Sequence, residues 1–105
     1  MIRSYAPPDA GGGGSEESSQ ATVVIVNRRG LHARAAAKFV KVAEQFVANV
    51  EVAKDDMVVP GTSIMGLMVL AAATGAELEI RARGREAKAA VAALVALVER
   101  GFDET

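Results

Sequence analysis

The residues Glu77-Leu78-Glu79-Ile80-Arg81-Ala82-Arg83 alternate without a break between charge and hydrocarbon. Successive side chains of a strand point to opposite faces, so this segment makes a strand with Leu78, Ile80 and Ala82 on one side and charges on the other. A face of that kind belongs in water, and the sheet that holds it has only one side to bury. Helices must cover that side, which points to a two-layer α+β sandwich.

The other elements follow from periodicity and punctuation. Thr22-Val23-Val24-Ile25-Val26 is a β-branched run, apolar on both sides, and is expected to lie inside the sheet. Asn27 to Leu31 is a loop. From Ala33 the residues Ala36, Phe39, Val40, Ala43, Phe46 and Val47 recur at helical spacing opposite Arg34, Lys38, Lys41 and Gln45, which predicts an amphipathic helix ending near Phe46. Asn49 to Lys54 and Met57 to Val59, joined by Asp55-Asp56 and closed by Pro60-Gly61, read as a hairpin. Ser63 is suited to cap a short helix from Ile64 to about Ala72, with Leu67, Leu70 and Ala71 toward the core and Ile64, Met65 and Met68 on another face. After Gly84 a last helix is expected over Arg85 to Arg100, with Ala87, Val91, Leu94, Val95 and Val98 inward. The order is strand, helix, strand, strand, helix, strand, helix, with no repeat and no second domain.

Residues 1–20 differ from the rest: Pro7-Pro8, four glycines from Gly11 to Gly14 and Ser15-Glu16-Glu17-Ser18-Ser19-Gln20 contain too little hydrocarbon to offset the entropy of ordering them. They are expected to be a disordered tail on a single domain over 21–105. Half of the chain's 105 residues are apolar, enough for a modest core. There is no cysteine, so disulfides and thiolate metal sites are excluded. Neither a signal peptide nor a run of the ~20 apolar residues needed to span a bilayer is visible, and a cytoplasmic location is expected. The tail carries one Arg against Asp9, Glu16 and Glu17, which leaves eleven basic and ten acidic groups, net +1, on the remainder. That balance gives no reason to expect nucleic acid or a membrane as a partner.

Chemistry concentrates at Asn27-Arg28-Arg29-Gly30-Leu31-His32-Ala33-Arg34-Ala35, where the strand gives way to the first helix and where the chain's single histidine lies. An imidazole just ahead of a helix has unpaired N–H groups in front of it and the positive end of the helix dipole beneath it. Such a place suits a phosphate. The backbone N–H groups of Ala33, Arg34 and Ala35 and the Arg34 guanidinium are donors for it. Free imidazole, with a pKa of roughly 6.5, is largely neutral at neutral pH and is a nucleophile in that form.

Asn27 to Phe39 resembles the active-site segment of the HPr family, the histidine-containing phosphocarriers of the bacterial phosphoenolpyruvate phosphotransferase system, whose pattern reads Gly-Leu-His-Ala-Arg-Pro-Ala. Gly30-Leu31-His32-Ala33-Arg34 match it, and Ala35 stands where the family has proline. A second family signature, Ser-Ile-Met-Gly-Leu, is Ser63-Ile64-Met65-Gly66-Leu67, at the family's spacing from the histidine. The resemblance covers about Ala21 to Arg100. It implies a βαββαβα open-faced sandwich, an antiparallel four-stranded sheet with three helices on one face, in agreement with the elements read from the residues.

The resemblance also implies a mechanism. The δ1 nitrogen of His32 takes a phosphoryl group, giving pros-phosphohistidine, and Arg34 stabilises it. Enzyme I donates and IIA-type proteins receive. Ser63 matches a serine that HPr kinase/phosphorylase modifies in part of the family. Ile64, Met65 and Met68 are expected to form an exposed docking patch, since flexible methionines suit a surface that meets several partners. The chain lacks a phosphate-loop glycine-lysine signature, clustered carboxylates for magnesium and a second histidine. No cofactor or metal is expected, and a monomeric carrier is expected rather than a self-sufficient enzyme. An alternative is a regulatory module of the nitrogen-related phosphotransferase branch, which moves no sugar.

Overall fold

The computed structural model describes residues 16–104. In chain order they form β1 (Glu17–Val24), α1 (Ala33–Ala43), β2 (Asn49–Lys54), β3 (Met57–Pro60), α2 (Ile64–Val69), β4 (Glu77–Gly84) and α3 (Ala87–Glu99), followed by a turn over Gly101–Asp103. The strands lie in the order β1-β4-β2-β3 and every neighbouring pair is antiparallel. This is the expected two-layer α+β sandwich. Strand β4 sits between β1 and β2 with Leu78, Ile80 and Ala82 buried, while Glu77 and Arg83 are exposed on the open face. Helix α3 packs across β1 and β4, and α1 packs on α2 and α3. Phe39, Leu67, Ile80, Leu94 and Val98 are fully or almost fully buried where these layers meet.

Strand β1 departs from expectation at both ends. It begins at Glu17, so Glu17 to Gln20 are not part of a tail but the first half of a strand, paired from Glu17 with Gly84 to Gln20 with Arg81. Composition is a poor guide here because β4's backbone, not side-chain burial, satisfies this polar stretch. Residues 1–15, the rest of the expected tail, lie outside the described residues. Nor is β1 inside the sheet. It is an edge strand, bonded to β4 alone, and Val24 and Val26 point outward with 42% and 52% of their surface exposed. A β-branched run reports strand preference, not the number of its neighbours.

The helices are shorter than their apolar periodicity. Helix α1 ends at Ala43 rather than near Phe46, because the Val47 N–H is taken by the Glu86 carboxylate at 2.7 Å and the Glu86 N–H returns to the Val47 carbonyl at 2.9 Å. Val47, expected on the helix's apolar face, is 61% exposed, whereas Phe46 is half-buried against the core. Helix α2 stops at Val69, and Ala71 takes a left-handed φ of +51° and faces solvent, so Leu70 and Ala72 rather than Ala71 fill the core. That reversal aims the Ala72 carbonyl at the loop before α1, where it accepts the Leu31 N–H at 2.9 Å. Helix α3 starts at Ala87, two residues later than expected, and Val95 is half-buried.

Beyond α3 the chain does something its local preferences disfavour. Gly101, Phe102 and Asp103 all have positive φ, +67°, +57° and +61°, and the Phe102 ring is fully buried. The Lys38 ammonium donates to the Phe102 carbonyl at 2.7 Å. The next residue, Glu104, is brought alongside the start of α1.

Candidate functional site

The loop before α1 is tied from several directions. The Gly30 N–H bonds the Asn27 carbonyl at 3.2 Å, the Asn27 side-chain amide donates to the Gly30 carbonyl at 2.9 Å, and the Thr74 hydroxyl lies 2.5 Å from the Asn27 carbonyl. Gly30 has a φ of +68°, and a Cβ there would lie 2.5 Å from the Ala72 carbonyl oxygen, so only glycine fits. Leu31 is buried next to it, which leaves the following residue at the mouth of the helix.

That residue is His32, the N-cap of α1, in extended backbone with its carbonyl accepting the Ala36 N–H at 2.8 Å. Its Nδ1 accepts from the Arg34 backbone N–H at 3.3 Å, a long bond. Its Nε2 meets the Glu104 carboxylate. A carboxylate only accepts and the Arg34 N–H only donates, so the bonding assigns the ring proton to Nε2 and a lone pair to Nδ1. The side chains of His32 and Glu104 keep 16% and 20% of their surface, enough for a visiting group to reach the ring. Glu104 is held a second time, by the Asn27 amide at 3.0 Å. These two hydrogen bonds, His32's first, together with the charge of Arg29, hold its carboxyl below the usual carboxylate range, against the opposing effect of desolvation.

The expected site residues fall into two groups. His32, Ala33, Arg34 and Ala35 share the first turn of α1, with Ala33 and Arg34 exposed and the Ala35 side chain buried. Among the described residues the Arg34 guanidinium has no hydrogen-bond or ion-pair partner, so it is available for an anion. Ser63 caps α2, its hydroxyl accepting the Gly66 N–H at 2.9 Å, as expected. Beside it Ile64, Met65 and Met68 are exposed, Met65 by 76%, and Val69, not anticipated, extends the same apolar surface. Helix α2 packs against α1, which puts this surface on the neighbouring helix. Sequence reasoning missed Glu104, Asn27 and Thr74, the residues that hold the ring and its loop. Among the described residues no group of His, Cys, Asp or Glu is placed to hold a metal ion, and no helix is long and apolar enough to cross a membrane.

The arrangement offers an imidazole nitrogen with a lone pair, a helix N-terminus and, among the described residues, an unpaired guanidinium. The chain is similar to known proteins over most of its length. A family model described as the PTS HPr component phosphorylation site matches residues 19–100. Phosphocarrier protein HPr of Neisseria meningitidis is 47% identical over 79 residues, 75% of this chain and 89% of that protein. Phosphocarrier protein NPr of Shewanella violacea is 37% identical over 78 residues, 74% of this chain and 86% of that protein. The crystal structure of HPr-C-His from Thermoanaerobacter tengcongensis superposes with a TM-score of 0.79 at 40% identity, covering 83% of this chain and 98% of that one.

Proposed function

We propose, from the premise that this chain belongs to the HPr family of phosphocarriers of the phosphotransferase system, that His32 accepts a phosphoryl group on Nδ1 from phosphorylated enzyme I and passes it to a IIA-type protein. The observation that carries the reading is the Nδ1 lone pair facing the N-terminus of α1, with the Arg34 N–H at 3.3 Å. In the forward step that lone pair attacks phosphorus as the bond from phosphorus to the donor nitrogen breaks, and the bonding pair returns to the donor ring. The Arg34 N–H, only weakly engaged by Nδ1, then turns to a phosphoryl oxygen, alongside the Ala33 and Ala35 N–H groups and the Arg34 guanidinium. These donors stabilise charge on the equatorial oxygens as it shifts.

Docking falls to the exposed face of Ile64, Met65 and Met68, which is apolar, adaptable and adjacent to the helix that carries His32. Ser63 borders that face. Phosphorylation by an HPr kinase/phosphorylase would set about two negative charges there, at the comfortable end of a helix, so its effect would fall on docking rather than folding. We assign the carrier to the cytoplasm, acting as a monomer.

The test is transfer from phosphoenolpyruvate through enzyme I with labelled phosphate. His32→Ala is expected to fold and take no label; label retained on that variant sinks the assignment. A second reading, supported by the likeness to the Shewanella protein, is that phosphorylation of His32 controls partner proteins in the nitrogen-related branch without sugar transport. A pulldown with phosphorylated and free protein separates the two, through recovery of sugar-permease components or their replacement by regulatory partners.

A further inference from the structure

An imidazole free in water shares its single proton between two nitrogens, so phosphoryl acceptance at one of them requires the proton to be kept on the other. The folded chain has a device for this that lies outside the motif around His32. The Glu104 carboxylate sits on Nε2 and demands an N–H there, while the Arg34 N–H at 3.3 Å demands a lone pair on Nδ1. Glu104 is in turn fixed by the Asn27 amide at 3.0 Å, and that amide cannot rotate away without losing its 2.9 Å bond to the Gly30 carbonyl. Backbone strain is accepted to put it there: Phe102 and Asp103 both adopt left-handed φ, held by the buried Phe102 ring and by Lys38 on the Phe102 carbonyl.

We propose that Glu104 is a positioning residue for phosphoryl transfer, fixing the His32 ring with its proton on Nε2 so that Nδ1 keeps the lone pair that bonds phosphorus. The inference rests on the reading of Nδ1 as the acceptor. As the new nitrogen–phosphorus bond forms and the donor leaves with its electron pair, the ring becomes a cation whose Nε2–H stays on the carboxylate. Glu104 therefore meets positive charge as it develops, without having to move.

Glu104→Gln keeps the shape and breaks the logic. The Asn27 amide still needs an acceptor, so the glutamine carbonyl turns to Asn27 and its NH2 turns to His32, which drives the ring proton to Nδ1. The experiment compares wild type, Glu104→Gln and Glu104→Asp by ring 15N chemical shifts, which report the tautomer. It adds the rate of Nδ1 phosphorylation by phosphoramidate, a small donor that releases ammonia and needs no partner protein, followed by 31P NMR. The expected result is a shift of the ring toward the Nδ1–H form in Glu104→Gln, with a roughly tenfold or greater loss of rate, and partial recovery in Glu104→Asp. Unchanged ring shifts and an unchanged rate in Glu104→Gln overturn the proposal. A wild type that reacts with phosphoramidate but takes nothing from enzyme I ends the carrier reading, and the tautomer comparison still decides the role of Glu104.

Discussion

Replacing Phe102 by alanine should both destabilise the protein and disconnect its site. The ring is fully buried, and deleting a buried phenylalanine side chain costs about 3–5 kcal/mol. Its backbone sits at φ +57°, a left-handed conformation that costs about 1–2 kcal/mol and that alanine tolerates no better. With the ring gone, that strain, and more from Asp103 at φ +61°, is opposed by the Lys38 bond to the residue 102 carbonyl, a net contribution of about 1 kcal/mol, and by the partly solvated contacts of Glu104 with His32 and Asn27. The exposed Arg100–Asp103 pair is too solvated to add much. The turn should therefore detach rather than settle into a smaller cavity, which holds the loss near the lower end, about 3 kcal/mol. For a domain of this size each kcal/mol is worth about 4–8 °C, so melting should fall by at least about 12 °C. Urea denaturation measures the first effect. An NMR titration measures the second: the Glu104 carboxyl, no longer held down by His32 and Asn27, should return toward the ordinary carboxylate range. A loss below about 1 kcal/mol with Glu104 still depressed would refute the view that the ring anchors this segment.

Three further outcomes are expected. Gly30→Ala meets the Ala72 carbonyl oxygen at 2.5 Å and needs φ +68°, so it should cost more than about 2 kcal/mol in urea unfolding, well above the usual surface substitution. Ser63→Ala should cost about 1 kcal/mol through the lost cap on Gly66 and leave the rate of phosphorylation by enzyme I largely intact, whereas Ser63→Asp should fold and lower that rate; equal rates for Ser63→Asp and wild type leave Ser63 a cap and nothing more. The Glu104 carboxyl is depressed in the folded state, so its stabilisation is fully present above its unfolded value near 4.5 and is lost as pH falls through the folded one. The stability difference between wild type and Glu104→Gln should therefore shrink as pH falls below about 4.5, a trend that unfolding curves across pH would expose.

What the sequence reveals depends on whether a residue's role is decided locally. The alternation of Glu77 to Arg83 fixes both faces of β4 because period-two patterning is a property of one strand, and Ser63 announces α2 because a cap bonds three residues away. The extent of β1 is not local. Glu17 to Gln20 are strand because β4 lies beside them, and Val24 is exposed because it alternates with buried Val23 onto the open face of the sheet. The place of His32 at the start of α1 is legible from the sequence, but Glu104 reaches His32 through a left-handed turn that phenylalanine and aspartate do not favour. One signal was present. A glycine just past a helix with an apolar residue after it often folds that residue back on the helix, and Gly101-Phe102 has that form. Asn27 gave no such sign, since its bonds to Gly30 and Glu104 depend on both segments being in place.

The position of β4 has a consequence for the order in which the molecule is assembled. It is the last of this sheet's four strands to be synthesised and one of its two inner strands, bonded to β1 on one side and β2 on the other. A nascent chain that stops short of it holds a β2–β3 hairpin, marginal by itself, and a β1 with nothing to pair with. Sheet closure must bring Glu17 to Gly84, a long-range pairing of the slow kind. Residue 104 emerges later still. His32 is thus made early and spends translation with its ring proton unassigned, and the carboxylate that assigns it arrives only after the sheet has the strand it is built around.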